Sequence, residues 1–321
     1  TVPMLPDAVT DCLGLGLNEI SPALSFGFRY AGEALSDIEI VRSRVRVQRI
    51  SYQEADTRLE QEPFKGLLRI TERFRAQRKA RDAASIDLPE VSVRVVDGEV
   101  VIRPLPRLRS RNLVTDAMLM AGEAAARFCL EKCIPIPYAT QQPPMELRDP
   151  QDMAAMWAYR RQFQPSRLSV EPAPHFGLGL ELYTRATSPL RRYSDLLVHQ
   201  QLRAHLVGGT PLSDSEVSER VKLAETGGLA IRRAERLSNT HWKLVWLRRH
   251  PGGKGKAVVV DKEQNKVVVI VPELALDVKV RVQGDPALNS LLELTPREID
   301  LPDLTCYFSA RPGSRQVGKG G

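Results

Sequence analysis

Near residue 252 the chain changes its hydrophobic period, and that change limits what it can fold into. Upstream, apolar residues recur at helical spacing over about 53–82, Arg111 to Lys132, Asp149 to Gln162, 188–207 and 213–249. Beyond Gly252, Gly253 and Gly255 come short Val-rich runs, KAVVVD, NKVVVIVP and DVKVRV, separated by turns. Runs of this length and composition predict a small antiparallel barrel or sheet over about 255–312. The end, SARPGSRQVGKGG, is basic and glycine-rich, and residues 313–321 are expected to stay disordered.

The upstream part is not all helix. In IEIVRSRVRVQRI, Ile38, Ile40, Arg42, Arg44 and Arg46 share one side of a strand, while Val41, Ser43, Val45 and Val47 share the other. VSVRVVDGEVVIR reads as a hairpin with Asp97-Gly98 as its two-residue turn. The segment 53–82 is predicted to break near Pro63, burying Phe64, Leu67, Leu68 and Phe74. Its other face gathers Lys65, Arg69, Arg73, Arg75, Arg78, Lys79 and Arg81 around one acid, Glu72. The class is therefore α+β, a mixed sheet with packed helices through about residue 250, followed by the all-β module.

Composition narrows the function. With 42% hydrophobic residues the chain can bury a sizeable core, which excludes a disordered or fibrous protein. No apolar run reaches the length of about 18 residues that a membrane helix needs. The net charge of +7 comes mostly from arginine, which suits forked contacts to phosphate and leans toward polyanionic partners. Four scattered cysteines make no disulfide framework. Cys129 and Cys133, four apart on a predicted helix, lack nearby third and fourth zinc ligands and read as buried thiols. A reducing, cytoplasmic setting and a monomer are expected. The first residue is not Met, and the opening TVPMLPD reads as the middle of something longer.

The richest segment is EPAPHFGLGLELYTRATSPLRRYSDLLVHQ, from Glu171 to Gln200. Thr187-Ser188-Pro189 reads as a helix start, with Ser188 as N-cap and Pro189 in the first helical position. Arg191 and Arg192 then fall in the first turn, where the helix dipole already concentrates positive charge. Cations gathered there are reasonable if an anion sits among them, held by free N–H groups, the hydroxyls of Thr187 and Ser188, and two guanidinium forks. Asp195 is expected to hold Arg191 as an i,i+4 partner. An N-capped surface helix with incidental arginines is the bland alternative. His175-Phe176-Gly177 places an aromatic and a glycine where a backbone or ligand can pass closely. His175 alone reads as a structural histidine, with RNA contact the alternative.

PHFGLGLELYTRATSPLRRYSDLLVHQQL closely resembles the signature of the ribonuclease II/R family, the RNB-domain exoribonucleases. VPMLPDAVTDCLGLGLNEISPALSF and RNLVTDAMLMAG are similar to two further family segments, and the Val-rich module resembles the OB-fold domain of ribosomal protein S1. The resemblance implies processive 3′-to-5′ hydrolysis of single-stranded RNA to 5′-nucleoside monophosphates. It also implies two divalent ions, Mg²⁺ or Mn²⁺, held by clustered aspartates. Arg191 matches the family's catalytic arginine, and Arg192, Thr187 and Ser188 match positions flanking the phosphate. Tyr52 matches a tyrosine that packs at the 3′-terminal nucleotide, and Asp116 stands where the family usually has a Glu on the terminal ribose.

Three departures qualify the resemblance. No D-x5-D-x-DD pattern is present, so no metal ligand is assigned to this chain, and its partner is expected to be its own missing N-terminal portion. Asp116 is one methylene shorter than Glu, and a stacking phenylalanine expected near Ile86 is missing. The alternative function is an RNA-binding relative that keeps the fold without hydrolysis. A DNA-directed nuclease is disfavoured.

Overall fold

The computed structural model describes residues 2–31, 34–251 and 255–313. In chain order, α1 (Asp7–Leu13) leads into an antiparallel ribbon of β1 (Ser21–Ala31) and β2 (Ala34–Val45). Helices α2 (Tyr52–Thr57) and α3 (Phe64–Ala80) follow, broken at Pro63 as the sequence suggests. The hairpin of β3 (Val91–Val96) and β4 (Glu99–Pro104) turns at Asp97 and Gly98, both with positive φ (51° and 80°), the geometry a two-residue hairpin turn requires. Next come α4 (Arg109–Glu131), β5 (Tyr138–Thr140), α5 (Met153–Arg160), β6 (Arg167–Ser169), α6 (Tyr193–Leu206) and α7 (Asp214–Arg249). The chain closes with β7 (Gly255–Glu263), β8 (Lys266–Val271), β9 (Leu276–Val280), β10 (Leu291–Asp300) and β11 (Thr305–Pro312).

These elements form two compact units, neither continuous in sequence. The first takes residues 1–84, 107–143 and 164–227, and the second takes 85–106, 144–163 and 228–321. The first unit is built around α4, whose stretch from Leu119 to Cys129 is buried on most sides. Ala125, Ala126, Phe128 and Cys129 pack with Ile40, Val198 and Leu202, and Leu119, Met120 and Ala124 pack with Phe74, Leu180 and Tyr183. Three consecutive alanines allow close approach of neighbouring elements on several sides. In the second unit, Val259, Val267, Val269, Leu292 and Leu294 form the inner face of the β module. Ala154, with Met153 and Trp157, packs against Val260, Val268 and Ile270.

Several expectations are revised. Among the described residues the ladders of the first unit are two antiparallel ribbons, β1–β2 and β5–β6, and parallel pairing is confined to an isolated bridge between Gln141 and His175, so no extended mixed sheet forms. Only two residues separate β1 from β2, and so short a connection can only return the chain antiparallel, because parallel pairing needs a long crossover. The C-terminal strands run in the order β11-β10-β7-β8-β9, all antiparallel, and no ladder joins β11 to β9 among the described residues. It is a five-stranded antiparallel sheet whose edge strands β9 and β11 come near each other without a ladder that closes a barrel. On α3, Leu67 is exposed and Thr71 takes its place in the buried stripe. Thr71 can do so because its hydroxyl donates to the carbonyls of Leu67 and Leu68, both at 3.0 Å. Helix α5 is shorter than expected, starting where the Asp152 carboxylate accepts the Ala155 N–H at 2.8 Å. Cys133 lies past the end of α4 with φ 53° and is exposed, so it shares no helical face with buried Cys129. Gly252 and Gly253 and the tail from 314 lie outside the described residues.

Candidate nucleic-acid interface

The segment after Pro174 is a tight loop tied down on three sides. His175 opens a 3₁₀ turn over Phe176–Leu178, closed by Gly179 in the left-handed region (φ 64°). A Cβ at Gly179 would lie 2.6 Å from the Arg78 carbonyl oxygen, so only glycine fits against the end of α3. Gln141 holds the loop with its carbonyl to the Phe176 N–H (3.0 Å) and its Oε1 to the Gly177 N–H (3.1 Å). The Gly177 carbonyl accepts the Ala84 N–H at 3.0 Å, and the Leu178 carbonyl accepts Arg78 Nη1 at 3.1 Å. His175 itself is buried, edge-on to Tyr183 at 6.1 Å, and its Nδ1 has no hydrogen-bond partner. Burial, aided by the nearby Arg185 charge, pushes its pKa down to about 4, so the ring is neutral near pH 7.

The Thr187–Arg192 stretch is a turn and not the start of a helix. The Ser188 carbonyl accepts the N–H groups of Arg191 (3.2 Å) and Arg192 (3.0 Å). Helix α6 begins only at Tyr193, with Arg192 in extended conformation as its N-cap residue. Ser188 is therefore not the cap, and Arg191 lies outside the first helical turn. Asp195, fully buried in that first turn, organises the corner. Its Oδ1 accepts the Ser188 N–H (2.8 Å) and Arg192 Nη2 (2.6 Å), and its Oδ2 accepts Arg192 Nε (2.9 Å) and the Ser194 hydroxyl (3.1 Å). The expected Arg191–Asp195 pair is thus an Arg192–Asp195 pair, because Arg191 precedes the helix and has no i,i+4 register with it. Arg191 is left exposed, its Nη2 3.5 Å from Ser188 Oγ, with no carboxylate partner among the described residues. His199 braces the turn from behind, 2.7 Å from the Ala186 carbonyl, and burial pushes its pKa down.

Asp116 does not face open space. Arg75 and Arg78 reach it from α3, and Glu72, the acid expected among those arginines, pairs instead with Arg109. Tyr183 joins this corner to the Asp195 corner: the charges of Arg192, Arg185, Asp195 and Arg78 all act on its hydroxyl, whose pKa burial raises. Gly122 of α4 accommodates the Tyr183 ring, since a Cβ there would sit 2.3 Å from Tyr183 Cε2. The structure thus assembles His175, Phe176, Gly177, Asp116 and Arg192 around Gln141, Gly122 and Tyr183, which the sequence reading passed over, and around Arg75 and Arg78, which it placed only on a basic helix face. Tyr52 is not among them. It lies half-exposed under the Arg111 guanidinium (4.9 Å from the ring centroid), where its carbonyl accepts the Ser110 hydroxyl at 2.7 Å.

Among the described residues no group of three or more His, Cys, Asp or Glu side chains is placed to hold a metal ion. The buried carboxylates of this site, Asp116 and Asp195, are consumed by guanidinium groups. These residues do not fit a divalent-ion pair. No helix among the described residues is long and apolar enough to cross a membrane.

The family model of the RNB domain matches residues 1–157 and 145–208. An uncharacterized ribonuclease of Synechocystis sp. is 32% identical over 295 residues, covering 86% of this chain and 44% of that protein. The chloroplastic/mitochondrial ribonuclease II of Arabidopsis thaliana is 30% identical over 227 residues, covering 63% of this chain and 27% of that protein. The chain thus spans less than half the length of these relatives. Among solved structures, Mycoplasma genitalium RNase R with ribose-methylated single-stranded RNA shares the fold at TM-score 0.80 and 17% identity, over 96% of this chain and 61% of that one. Yeast Ssd1, described as a pseudonuclease, does so at 0.66 and 15%, over 93% and 44%. With a match to the RNB domain over its first 208 residues and a relative of this similarity, the chain belongs to the RNB-domain family of ribonucleases.

Proposed function

We propose that the protein is a 3′-to-5′ hydrolytic exoribonuclease that digests single-stranded RNA processively to 5′-nucleoside monophosphates. The observation that carries this is the Thr187–Arg192 turn. Arg191 is an exposed cation without a carboxylate partner among the described residues, set beside a turn whose shape Asp195 fixes. A guanidinium held this way suits the charge that develops on phosphoryl oxygens in the transition state. Divalent ions, Mg²⁺ or Mn²⁺, would be held by ligands other than the residues described above and would supply metal-assisted hydrolysis there. Phe176, Gly177, Thr187, Ser188 and Arg192 line the approach of the RNA end, His175 supports them from beneath, and Tyr52 adds a stacking surface further out. Residues 255–312 act as an OB-like module, similar to that of ribosomal protein S1, giving a second contact to the strand.

The test is Arg191→Ala in the full polypeptide that carries these residues. Single-turnover cleavage of a 5′-labelled strand should slow by at least about 10²-fold, as expected for the loss of one preorganised stabiliser. RNA affinity should fall far less, because phosphate contacts are many. Affinity lost with the cleavage rate intact would make Arg191 an anchor. The second reading, an RNA-binding relative without hydrolysis, is favoured by the likeness in fold to a protein described as a pseudonuclease. Tight binding with no release of mononucleotides under Mg²⁺ would establish it.

A further inference from the structure

We infer that Asp116 is a positioning residue: through Arg78 it sets the 175–180 loop, and its carboxylate does not read the sugar of the RNA. The inference rests on the RNA-end reading above.

The carboxylate has no room for a ribose hydroxyl. Asp116 Oδ2 accepts Arg75 Nε at 2.7 Å and lies 2.6 Å from its Nη2, while Oδ1 accepts Arg78 Nη2 at 2.5 Å. The side chain is 2% exposed. A hydroxyl donor would have to displace a charge-assisted bond to reach it, exchanging a strong contact for a weaker one. Reading a 2′-OH needs an open acceptor or donor at the sugar, and Asp116 offers neither.

What Asp116 does control is Arg78, whose side chain is only 11% exposed. Arg78 Cζ lies over the Phe74 ring at 5.3 Å from its centroid, which fixes the plane of the guanidinium. One edge of that plane is held by Asp116, and Nη1 donates to the Leu178 carbonyl at 3.1 Å. Gly179 packs directly on the Arg78 backbone. Side chain and main chain of one arginine therefore set the height of the loop that carries Phe176 and Gly177. Arg78 Nε is buried without a hydrogen-bond partner, so Asp116 and the Leu178 carbonyl are the groups that hold the guanidinium N–H bonds, and Asp116 is the charged one. Without the carboxylate, Arg75 and Arg78 would repel one another and Arg78 would leave the loop.

The test uses the wild-type chain and the variants Asp116→Asn, Asp116→Glu, Arg78→Gln and the double variant Asp116→Asn/Arg78→Gln. Two measurements are made on each: hydrogen exchange of the peptide covering 174–180, and affinity for a short oligoribonucleotide against the same strand ending in one 2′-deoxynucleotide. In Asp116→Asn the loop amides should exchange at least about tenfold faster while the β1–β2 ribbon is unchanged. RNA affinity should drop by about five-fold or more, equally for both strands. Arg78→Gln should reproduce both effects, and the double variant should be no worse than either single one, the signature of residues acting in one chain. Asp116→Glu, which keeps the charge, should retain most of the loop protection, and it carries the test where Asp116→Asn fails to fold. Unchanged exchange in the variants overturns the inference. So does a wild-type preference for the ribose end that Asp116→Asn abolishes or Asp116→Glu widens. If the wild-type chain binds no RNA, the proposed function falls, while the exchange measurement still decides the role of Asp116.

Discussion

Removing the Asp195 carboxylate should be among the most damaging single changes in the first unit. The group is fully buried and accepts four hydrogen bonds, two of them from the Arg192 guanidinium. In Asp195→Ala the half-buried Ser188 N–H loses its acceptor, a penalty of about 1–3 kcal/mol when no water replaces it. Arg192 loses its counter-charge in a half-buried position, and breaking one side of a buried ion pair costs about 3–5 kcal/mol. The two losses share one cavity and do not add in full, so about 3–5 kcal/mol is expected for the whole substitution. Asp195→Asn keeps an acceptor for Ser188 and gives up the charge, which should cost about 1–3 kcal/mol. Urea unfolding followed by far-UV circular dichroism measures both. With a slope of about 1–3 kcal/mol per molar, the Ala variant should lose roughly 2 M in midpoint and the Asn variant about half that. Single-turnover cleavage of single-stranded RNA should slow in parallel, because the turn that presents Arg191 loses its anchor. A loss below about 1 kcal/mol for Asp195→Ala would refute the reasoning, since it would mean that water already replaces these bonds.

Acid should destabilise the protein through His175. Its folded pKa of about 4 lies below the unfolded value near 6.5, so the unfolded chain takes up a proton that the folded one refuses. The contribution is complete above pH 6.5 and is lost between pH 6.5 and 4, by at most about 3 kcal/mol, and the midpoint in His175→Gln should depend less on pH over that window. Gly122→Ala should cost about 3 kcal/mol or more, because the added methyl meets the Thr184 carbonyl oxygen at 2.5 Å as well as the Tyr183 ring; a melting temperature within a few degrees of wild type would contradict the packing. Arg191→Lys should restore little of the cleavage rate lost in Arg191→Ala, since a point charge lacks the guanidinium fork; full rescue in single-turnover assays would reduce its role to charge alone.

What the sequence disclosed was local. Asp97-Gly98 placed a hairpin turn because both residues tolerate positive φ, and Pro63 marked the break between α2 and α3. Ser188-Pro189 misled for the same reason: a Ser-Pro start serves a turn as well as a helix, and the turn forms because Asp195 draws in the Ser188 N–H from seven residues away. Arg191 and Arg192 look alike in the sequence, and only the register of α6 decides that one is bound and the other open. The Arg75–Asp116–Arg78 cluster spans 41 and 38 residues and carries no local signal at all. Neither does the pairing of Gly122 with Tyr183, whose cause is the approach of two chain segments in space.

The interleaving of the two units bears on the birth of the protein at the ribosome. The chain crosses between them after residues 84, 106, 143, 163 and 227. Helix α5 is finished long before its partners exist: its Ala154 N–H is taken by Asn289 Oδ1, 135 residues later, and Arg161 by Asp261, 100 residues later. At a synthesis rate of about 5–20 residues per second, those partners emerge on the order of ten seconds after it. For that interval Met153, Ala154 and Trp157 lack the strands β7 and β8 that cover them in the finished fold. An apolar face waiting that long is a surface on which a nascent-chain chaperone can act. A message cut short before β7 would leave α5 bare for good, so loss of the C-terminal strands should be felt as aggregation of the whole product.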